Sequence, residues 1–481
     1  MPLPLSAAAA DLPYDRSRVP PGIVHLGVGA FCRAHIAAYV DALLAGDPSW
    51  GIVGASLRRS DTRDALLPQD FLYTLVERGP DGTTARVIGA LLDVLDATRQ
   101  GEALLAAMAA PGVPLVSLTV TEKGYCHDPA TGRLNPDHPD IRHDLAHPDR
   151  PVSAPGFIVR AIALRRARGL PPFTVLSCDN LPANGETTRR VVTDFAALVG
   201  ADLADHIRDA VAFPSSMVDR IVPATTDEDR QAAVALTGRA DAWPVVTEPF
   251  SQGVIEDPFA TGRPPFDPAG AQFVEDVRPY ELMKLRMLNG SHSTLAYLGY
   301  LAGHATVSDT VADPAFRRLA FGLMTDEVME TLPPGLGDLG AYRDALLARF
   351  ANPTLRHRTW QIAMDGSQKL PQRLLGTIGD RLARGQPFTR AALGVAGWMR
   401  YVGGIDEGGA PIDVRDPLAP RLRAISDAAG GRPEAIVDGL LGVREIFAPA
   451  LAADDTFRTV LTRHLAALTE RGAAATVAGL A

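Results

Sequence analysis

The sequence predicts an α/β fold: an N-terminal, doubly wound parallel sheet followed by a mostly α-helical C-terminal domain. Three observations predict it. Short β-branched runs alternate with helical patterns through the first half, as parallel strands joined by crossover helices do. A glycine turn, Gly27-Val28-Gly29, follows the first apolar run and opens a helix. Beyond about Glu275 the short runs give way to long segments of helical periodicity. At 481 residues the chain exceeds one ordinary core. The division is read as domains 1–275 and 276–481.

The elements follow in order. Residues 23–26 read as a strand that turns at Gly27, with a helix over 33–44 behind it. Residues 51–57 form a second strand, and 72–77 with 85–91 a hairpin pair. An alanine-rich helix at 100–109 precedes a buried strand at 113–120. A helix at 156–168 precedes a strand at 173–178 that ends in Asp179-Asn180. In the second half, 280–301, 315–332, 339–350, 387–401, 433–441 and 455–470 read as helices separated by Pro/Gly loops.

Composition excludes several classes. Net charge is −9 with no basic block, whereas phosphate-backbone binding needs clustered Lys/Arg. No apolar stretch approaches the roughly 20 residues that span a bilayer, and Met1 to Ser17 lacks a basic leader pattern. The chain is therefore read as cytoplasmic. Cys32, Cys126 and Cys178 are odd in number and far apart, which argues against disulfides and a cysteine-rich zinc site.

Two glycines at a strand-to-helix turn let the backbone approach a pyrophosphate at a helix N-terminus. This is the Rossmann-type dinucleotide arrangement, although Cys32 stands where its third glycine would be. After the second strand, Asp61 is the candidate acid for a ribose. Arg58 and Arg59 beside it could hold a 2′-phosphate, so the reading prefers NAD and leaves NADP open. Ligands of such sheets bind beyond the carboxyl ends of the strands. Glu122 and Asn180 follow directly on apolar strands and are candidate site residues; Asn184 reads as a helix cap. Asp219 and Arg220, in an apolar setting, suggest a buried ion pair or a site acid.

Only three of the 47 lysines and arginines are lysines: Lys123, Lys284 and Lys369. Arginine keeps its proton at physiological pH, whereas a desolvated lysine can release one. Lys284 opens Lys284-Leu285-Arg286-Met287-Leu288-Asn289-Gly290-Ser291-His292 within an apolar helical stretch. At about 100° per residue, Lys284, Asn289 and His292 share one sector. An apolar helix face does not carry such groups without partners. The set suits alcohol oxidation: lysine takes the hydroxyl proton, asparagine amides stabilise the oxyanion, histidine orients neighbouring hydroxyls, and no metal is required.

These stretches, with Phe31-Cys32-Arg33-Ala34-His35, Thr121-Glu122-Lys123-Gly124-Tyr125, Ser177-Cys178-Asp179-Asn180, Met217-Val218-Asp219-Arg220 and Thr247-Glu248-Pro249-Phe250, resemble the polyol-specific long-chain dehydrogenase/reductase family. The resemblance covers nearly the whole chain. It implies a Rossmann-type domain, a helical C-terminal domain, and metal-independent hydride transfer between a nicotinamide cofactor and a 2-keto sugar or sugar acid. It implies Lys284 as general acid/base, Asn180 and Asn289 as oxyanion donors, and Asp219 and His292 as positioning residues. Gly27, Gly29, Phe31, Arg33, Asp61 and Glu122 would lie at the cofactor. Gln361 stands where mannitol-specific members offer an arginine to the polyol. The chain is more similar there to fructuronate reductases, whose acid substrate needs a cation. Arg286, Arg358 and Lys369 are the candidates. A small-molecule substrate and a monomer or weak homo-oligomer are expected.

Rival readings rest on less. Tyr280 and Lys284 have the spacing of a short-chain dehydrogenase pair, but the chain is about twice as long and lacks the matching upstream serine. His143 and His147 are four apart without a cysteine cluster, so a zinc enzyme is disfavoured. A mannitol or arabinitol dehydrogenase remains an alternative within the family. A dinucleotide-binding regulator would have no need of Lys284, Asn289 and His292 together.

Overall fold

Five apolar runs become five parallel strands in a computed structural model that describes residues 2–128 and 131–480. Across the sheet the order is Leu91–Asp96, Gly51–Ser56, Pro21–Leu26, Leu115–Leu118, Thr174–Ser177. Every neighbouring pair is parallel. By sequence order this is strand 3-2-1-4-5, the doubly wound arrangement. Strand order reverses between Pro21–Leu26 and Leu115–Leu118, so the crevice beyond their carboxyl ends lies at Gly27 and Thr119. Apolar side chains of helices Ala97–Met108, Ala154–Ala167 and Asn184–Val199 share a core with the strand residues Val24, Val116 and Val175.

The unit also holds two three-stranded sheets, Val245–Thr247, Tyr73–Gly79, Gly82–Ile88, and Ala271–Val274, Gln252–Glu256, Ser216–Asp219, and a small two-stranded one, Leu3–Pro4 with Arg239–Ala240. The chain divides into two compact units, the first ending at Arg278 and the second beginning at Pro279. The second is helical. Its core gathers Phe316, Trp398, Phe447 and Phe457, each almost fully buried, at about 1.5–3 kcal/mol per large side chain removed from water.

Several elements differ from the sequence reading. The helix expected over 33–44 starts at Ala30, breaks at His35 and resumes as Ile36–Leu43. The break follows from His35 backbone angles of φ −115° and ψ −89°, with its Nε2 2.9 Å from the Gln252 carbonyl. The expected strand 85–91 divides: Gly82–Ile88 closes the hairpin, and Leu91–Asp96 leaves it for the parallel sheet. The last helix, expected over 455–470, continues as Asp455–Ala478 across a break at Gly472, where φ is +77°. Among the described residues, no helix is long and apolar enough to cross a membrane.

Candidate functional site

At the switch point of the sheet the backbone of Gly27 has φ +95°, and a Cβ there would fall on the Thr119 carbonyl. Only glycine fits. Gly29 differs: nothing lies within 4 Å of where its Cβ would be, and it caps the helix Ala30–Ala34. The protein itself does not need Gly29 bare, so the open backbone there fits a ligand that must approach closely. A buried histidine fixes the turn from below. His25 Nδ1 lies 2.8 Å from Ser117 Oγ and Nε2 2.8 Å from Thr119 Oγ1. Thr119 Oγ1 donates to the Gly27 carbonyl at 2.6 Å, so its single proton is used and it accepts from Nε2–H. Nδ1 then accepts from Ser117. Burial pulls the His25 pKa down to about 3, consistent with a neutral ring.

The neighbouring strand ends are held by one carboxylate that the sequence reading passed over. Asp179 accepts from the Val120 amide at 3.0 Å, the Thr121 amide at 2.8 Å and the Tyr125 hydroxyl at 2.8 Å. Burial raises its pKa. Those bonds hold Thr121 at φ +65°, ψ 166°, a conformation costing about 1–3 kcal/mol for a side-chain-bearing residue. Glu122 and Asn180, on either side of this clamp, are both exposed. Asn184 is neither cap nor catalyst: its amide donates to the Asp179 and Ser216 carbonyls at 3.0 and 2.9 Å and accepts from the Ser216 amide at 2.9 Å. It fastens the loop to Ser216–Asp219, whose last residue is the buried Asp219. Arg220 takes Glu77 as its ion-pair partner and donates to the Ala34 and Glu248 carbonyls. The expected pairing within Asp219-Arg220 is replaced by partners far away in sequence.

Two further cations are spent in this unit. Arg33, expected at the cofactor, is 4% exposed, lies 5.3 Å over the Tyr73 ring and donates to the Trp243 carbonyl. Its place is in the core, because the short helix turns it inward. Arg58 is paired with Asp140. Asp61 opens the helix Asp61–Leu66 and pairs with the exposed Arg59 at 2.5 Å. Phe31 is partly exposed and stacks on His35 at 5.1 Å. Cys126, His138 and Asp140 bring possible metal-ligand atoms within 4.8 Å. Arg58 already holds Asp140, the His138 Nδ1 accepts from the Asp140 amide, and burial pushes the Cys126 thiol up to about 12. His143 of the pair His143/His147 is tied to Asp144 at 3.0 Å. All three cysteines are free and buried.

In the helical unit the Lys284 segment departs from ideal α geometry. Arg278–Met283 is α-helical, Lys284–Gly290 is a π-helix, and Ser291–Leu301 is α-helical again. In a π-turn the hydrogen bond runs from i to i+5, so Lys284 and Asn289 lie one turn apart on one face. The 100° estimate leaves them about 140° apart within a broad shared sector; the wider turn brings them closer into line. Gly290 keeps helical angles, φ −64° and ψ −51°. A Cβ on it would come 2.7 Å from the Arg373 carbonyl in a second π-segment, Pro371–Leu375. The sequence gives no periodic signal for one widened turn. Lys284 is partly buried; Asn289 and His292 are each 8% exposed.

His292 stacks on Phe350 at 5.3 Å and meets the His357 ring edge-on at 4.7 Å. Burial first, then His357, Arg373, Arg349 and Lys369, push its pKa well below the usual histidine value. It is a neutral donor and acceptor at pH 7. Of the cations expected for substrate, Arg286 is 7% exposed and bonded to Asp380 at 2.6 Å and Thr331 at 2.7 Å. Its charge is neutralised within the fold, which corrects that expectation. Arg358 is exposed and precedes the helix Thr359–Ile362. Gln361, in that helix, is exposed too. Lys369 donates to the Met364 carbonyl at 2.6 Å.

Comparison with known proteins agrees with both halves. Residues 21–268 match the mannitol dehydrogenase Rossmann domain and residues 276–469 the mannitol dehydrogenase C-terminal domain. The uncharacterized oxidoreductase YdfI of Escherichia coli (strain K12) is 50% identical over 479 residues, 98% of each chain. D-mannonate oxidoreductase of the same organism is 49% identical over 474 residues, 97% of each chain. The structure of Pseudomonas fluorescens mannitol 2-dehydrogenase, in ternary complex with NAD and D-mannitol, is 41% identical with a TM-score of 0.87. The match covers 100% of this chain and 99% of that one. The chain belongs to the mannitol dehydrogenase family and is an oxidoreductase of the class acting on secondary alcohols.

Proposed function

We propose that this protein is an NAD-dependent reductase of 2-keto sugar acids, of the fructuronate reductase type, running in reverse as a D-mannonate oxidoreductase. The observation that carries the reading is the charge around His292. Arg349, Lys369 and Arg373 all act on this ring, on the helix that bears Lys284 and Asn289. Arg349 and Lys369 have partners within the fold, yet a substrate carboxylate gains more from this cationic setting than a neutral polyol does. The likeness to D-mannonate oxidoreductase points the same way.

NAD, when bound, supplies the hydride chemistry. Gly27 and Gly29 would admit its pyrophosphate, Asp61 its ribose, and Phe31 and Glu122 would flank it. Arg58 is engaged by Asp140 and Arg59 by Asp61, so neither is a ready partner for a 2′-phosphate. In reduction the Lys284 ammonium gives its proton to the carbonyl oxygen as that oxygen gains charge; in oxidation the amine takes the hydroxyl proton. The Asn289 amide donates a hydrogen bond to that oxygen, and the family resemblance gives Asn180 the role of an oxyanion donor. Neutral His292 holds an adjacent hydroxyl, and Asp219 shares the positioning role. No metal takes part. The proposal includes action in the cytoplasm as a monomer or weak homo-oligomer.

Turnover of D-fructuronate and D-fructose with NADH, then NADPH, tests the reading. The expected result is the highest kcat/KM for fructuronate with NADH, unchanged by exhaustive chelation. A preference for fructose would make it a mannitol 2-dehydrogenase, the reading favoured by the mannitol-bound relative. A preference for NADPH would overturn the cofactor assignment.

A further inference from the structure

The buried arginines of the molecule offer an internal comparison. Arg165 donates to the carbonyls of Pro171, Ala110 and Val113 at 2.7, 2.6 and 3.0 Å. Arg220 has Glu77, Arg286 has Asp380, and Arg381 has Glu330 at 2.9 Å. Each is compensated, as an enclosed guanidinium with five donors must be. Arg33 has no carboxylate but has the Trp243 carbonyl and the Tyr73 ring; Arg373 has less. Its one hydrogen bond among the described residues is from Nη1 to Ser293 Oγ at 3.0 Å, and no described carboxylate pairs with it. Burial lowers its pKa from the usual guanidinium value, yet the residue keeps partial solvent access.

Its place in the helical unit gives that idle charge a direction. Ser293 follows His292 directly and stands four residues beyond Asn289. Residues four apart share a helix face, so Arg373 meets the face that carries Asn289 about 6 Å further along the axis. Its own carbonyl abuts Gly290, which locks the two segments together. A six-carbon keto acid held with its carbonyl oxygen at Asn289 and Lys284 has its carboxylate at the far end of the chain, about one helical turn away.

Resting on the sugar-acid reading above, we infer that Arg373 is the specificity-determining cation that receives the substrate carboxylate, in place of Arg286, Arg358 or Lys369. The guanidinium brings parallel N–H donors suited to a carboxylate, and a substrate ending in a hydroxymethyl group leaves them unmatched.

The experiment compares Arg373→Met and Arg373→Lys with wild type, on D-fructuronate and on D-fructose with NADH. NADH affinity and thermal midpoint serve as checks on folding. A charged hydrogen-bonded pair contributes about 1.5–3 kcal/mol, so Arg373→Met should lose about 10- to 100-fold in kcat/KM on fructuronate, mainly through KM. Its fructose activity should fall several-fold less than its activity on fructuronate. Arg373→Lys should recover part of the loss on the acid alone. Equal losses on both substrates, or none on fructuronate, would overturn the assignment while leaving the sugar-acid reading intact. Wild type that prefers fructose would overturn the sugar-acid reading and the Arg373 assignment with it.

Discussion

The strand-end loops of the first unit and the Lys284 helix of the second handle polar groups in opposite ways. In the loops the key groups are matched within the fold: Asp179 by three donors, Asn184 by Asp179 and Ser216, His25 by two hydroxyls. On and beside the helix, position comes from backbone shape, a π-turn wedged against a second π-segment. There Arg373 keeps most of its donors unused. The difference teaches where function sits. A fully matched group holds the scaffold, and its loss costs stability; a group with spare capacity faces a ligand, and its loss costs turnover.

Substitutions can break or sharpen that contrast. The largest effect on stability is expected from Asp179→Ala, which takes the partner from two backbone amides, leaves the Tyr125 hydroxyl only Ser177 and releases Thr121. At about 1–3 kcal/mol per buried donor left without a partner, unfolding in urea should show a loss of about 4 kcal/mol. A loss below about 1 kcal/mol would mean that the clamp is not structural. Next comes Gly290→Ala. The added methyl meets the Arg373 backbone rather than a movable side chain, so about 1–3 kcal/mol of overpacking is expected. Here kcat should fall with stability, because the same shift moves Lys284 against Asn289; a stability loss with normal kcat would separate the two.

Acid should act through the buried histidines. Burial depresses His25 to about 3, and His357 and His464 to about 4. Their contribution is complete above the unfolded value near 6.5 and is lost as pH falls toward the folded values. By pH 5.5 each should have cost about 1 kcal/mol. The raised carboxyls of Asp41, Asp179 and Glu327 work in the opposite sense, gaining stability as pH falls. Urea midpoints between pH 7.5 and 5 check the balance, and a midpoint that rises on acidification would contradict it. The smallest effect is expected from Arg59→Ala. Arg59 is 78% exposed, and exposed pairs contribute about 0–1 kcal/mol, so stability and NADH affinity should barely change. A large loss of NADH affinity would place Arg59 itself at the cofactor.

Much of the architecture was legible because it is local. Apolar strand runs, the Gly27 turn and the helical periodicity after residue 275 each lie within a short window. What was missed depends on distant partners or on one unusual turn. Arg220 finds Glu77 143 residues away, and Arg286 finds Asp380 94 residues away. Nothing near either arginine announces this, so Arg286 passed for a substrate cation. The π-turn tightens the alignment of Asn289 with Lys284 without altering the pattern of apolar residues, and Asp179 was overshadowed by its neighbour Asn180. Arg373 stands four residues past Lys369, among arginines so common that one more carried no signal.

The central claim is that the Lys284 amine exchanges the proton while its helix neighbours hold the oxygen. Steady-state reduction by Lys284→Ala, with NADH affinity measured by fluorescence and methylamine added in a second series, tests it most directly. The account predicts a fall in kcat of about 10²- to 10⁴-fold, unchanged NADH affinity, and partial recovery with the added amine. A Lys284→Ala enzyme that binds NADH normally and turns over at the wild-type rate would contradict it.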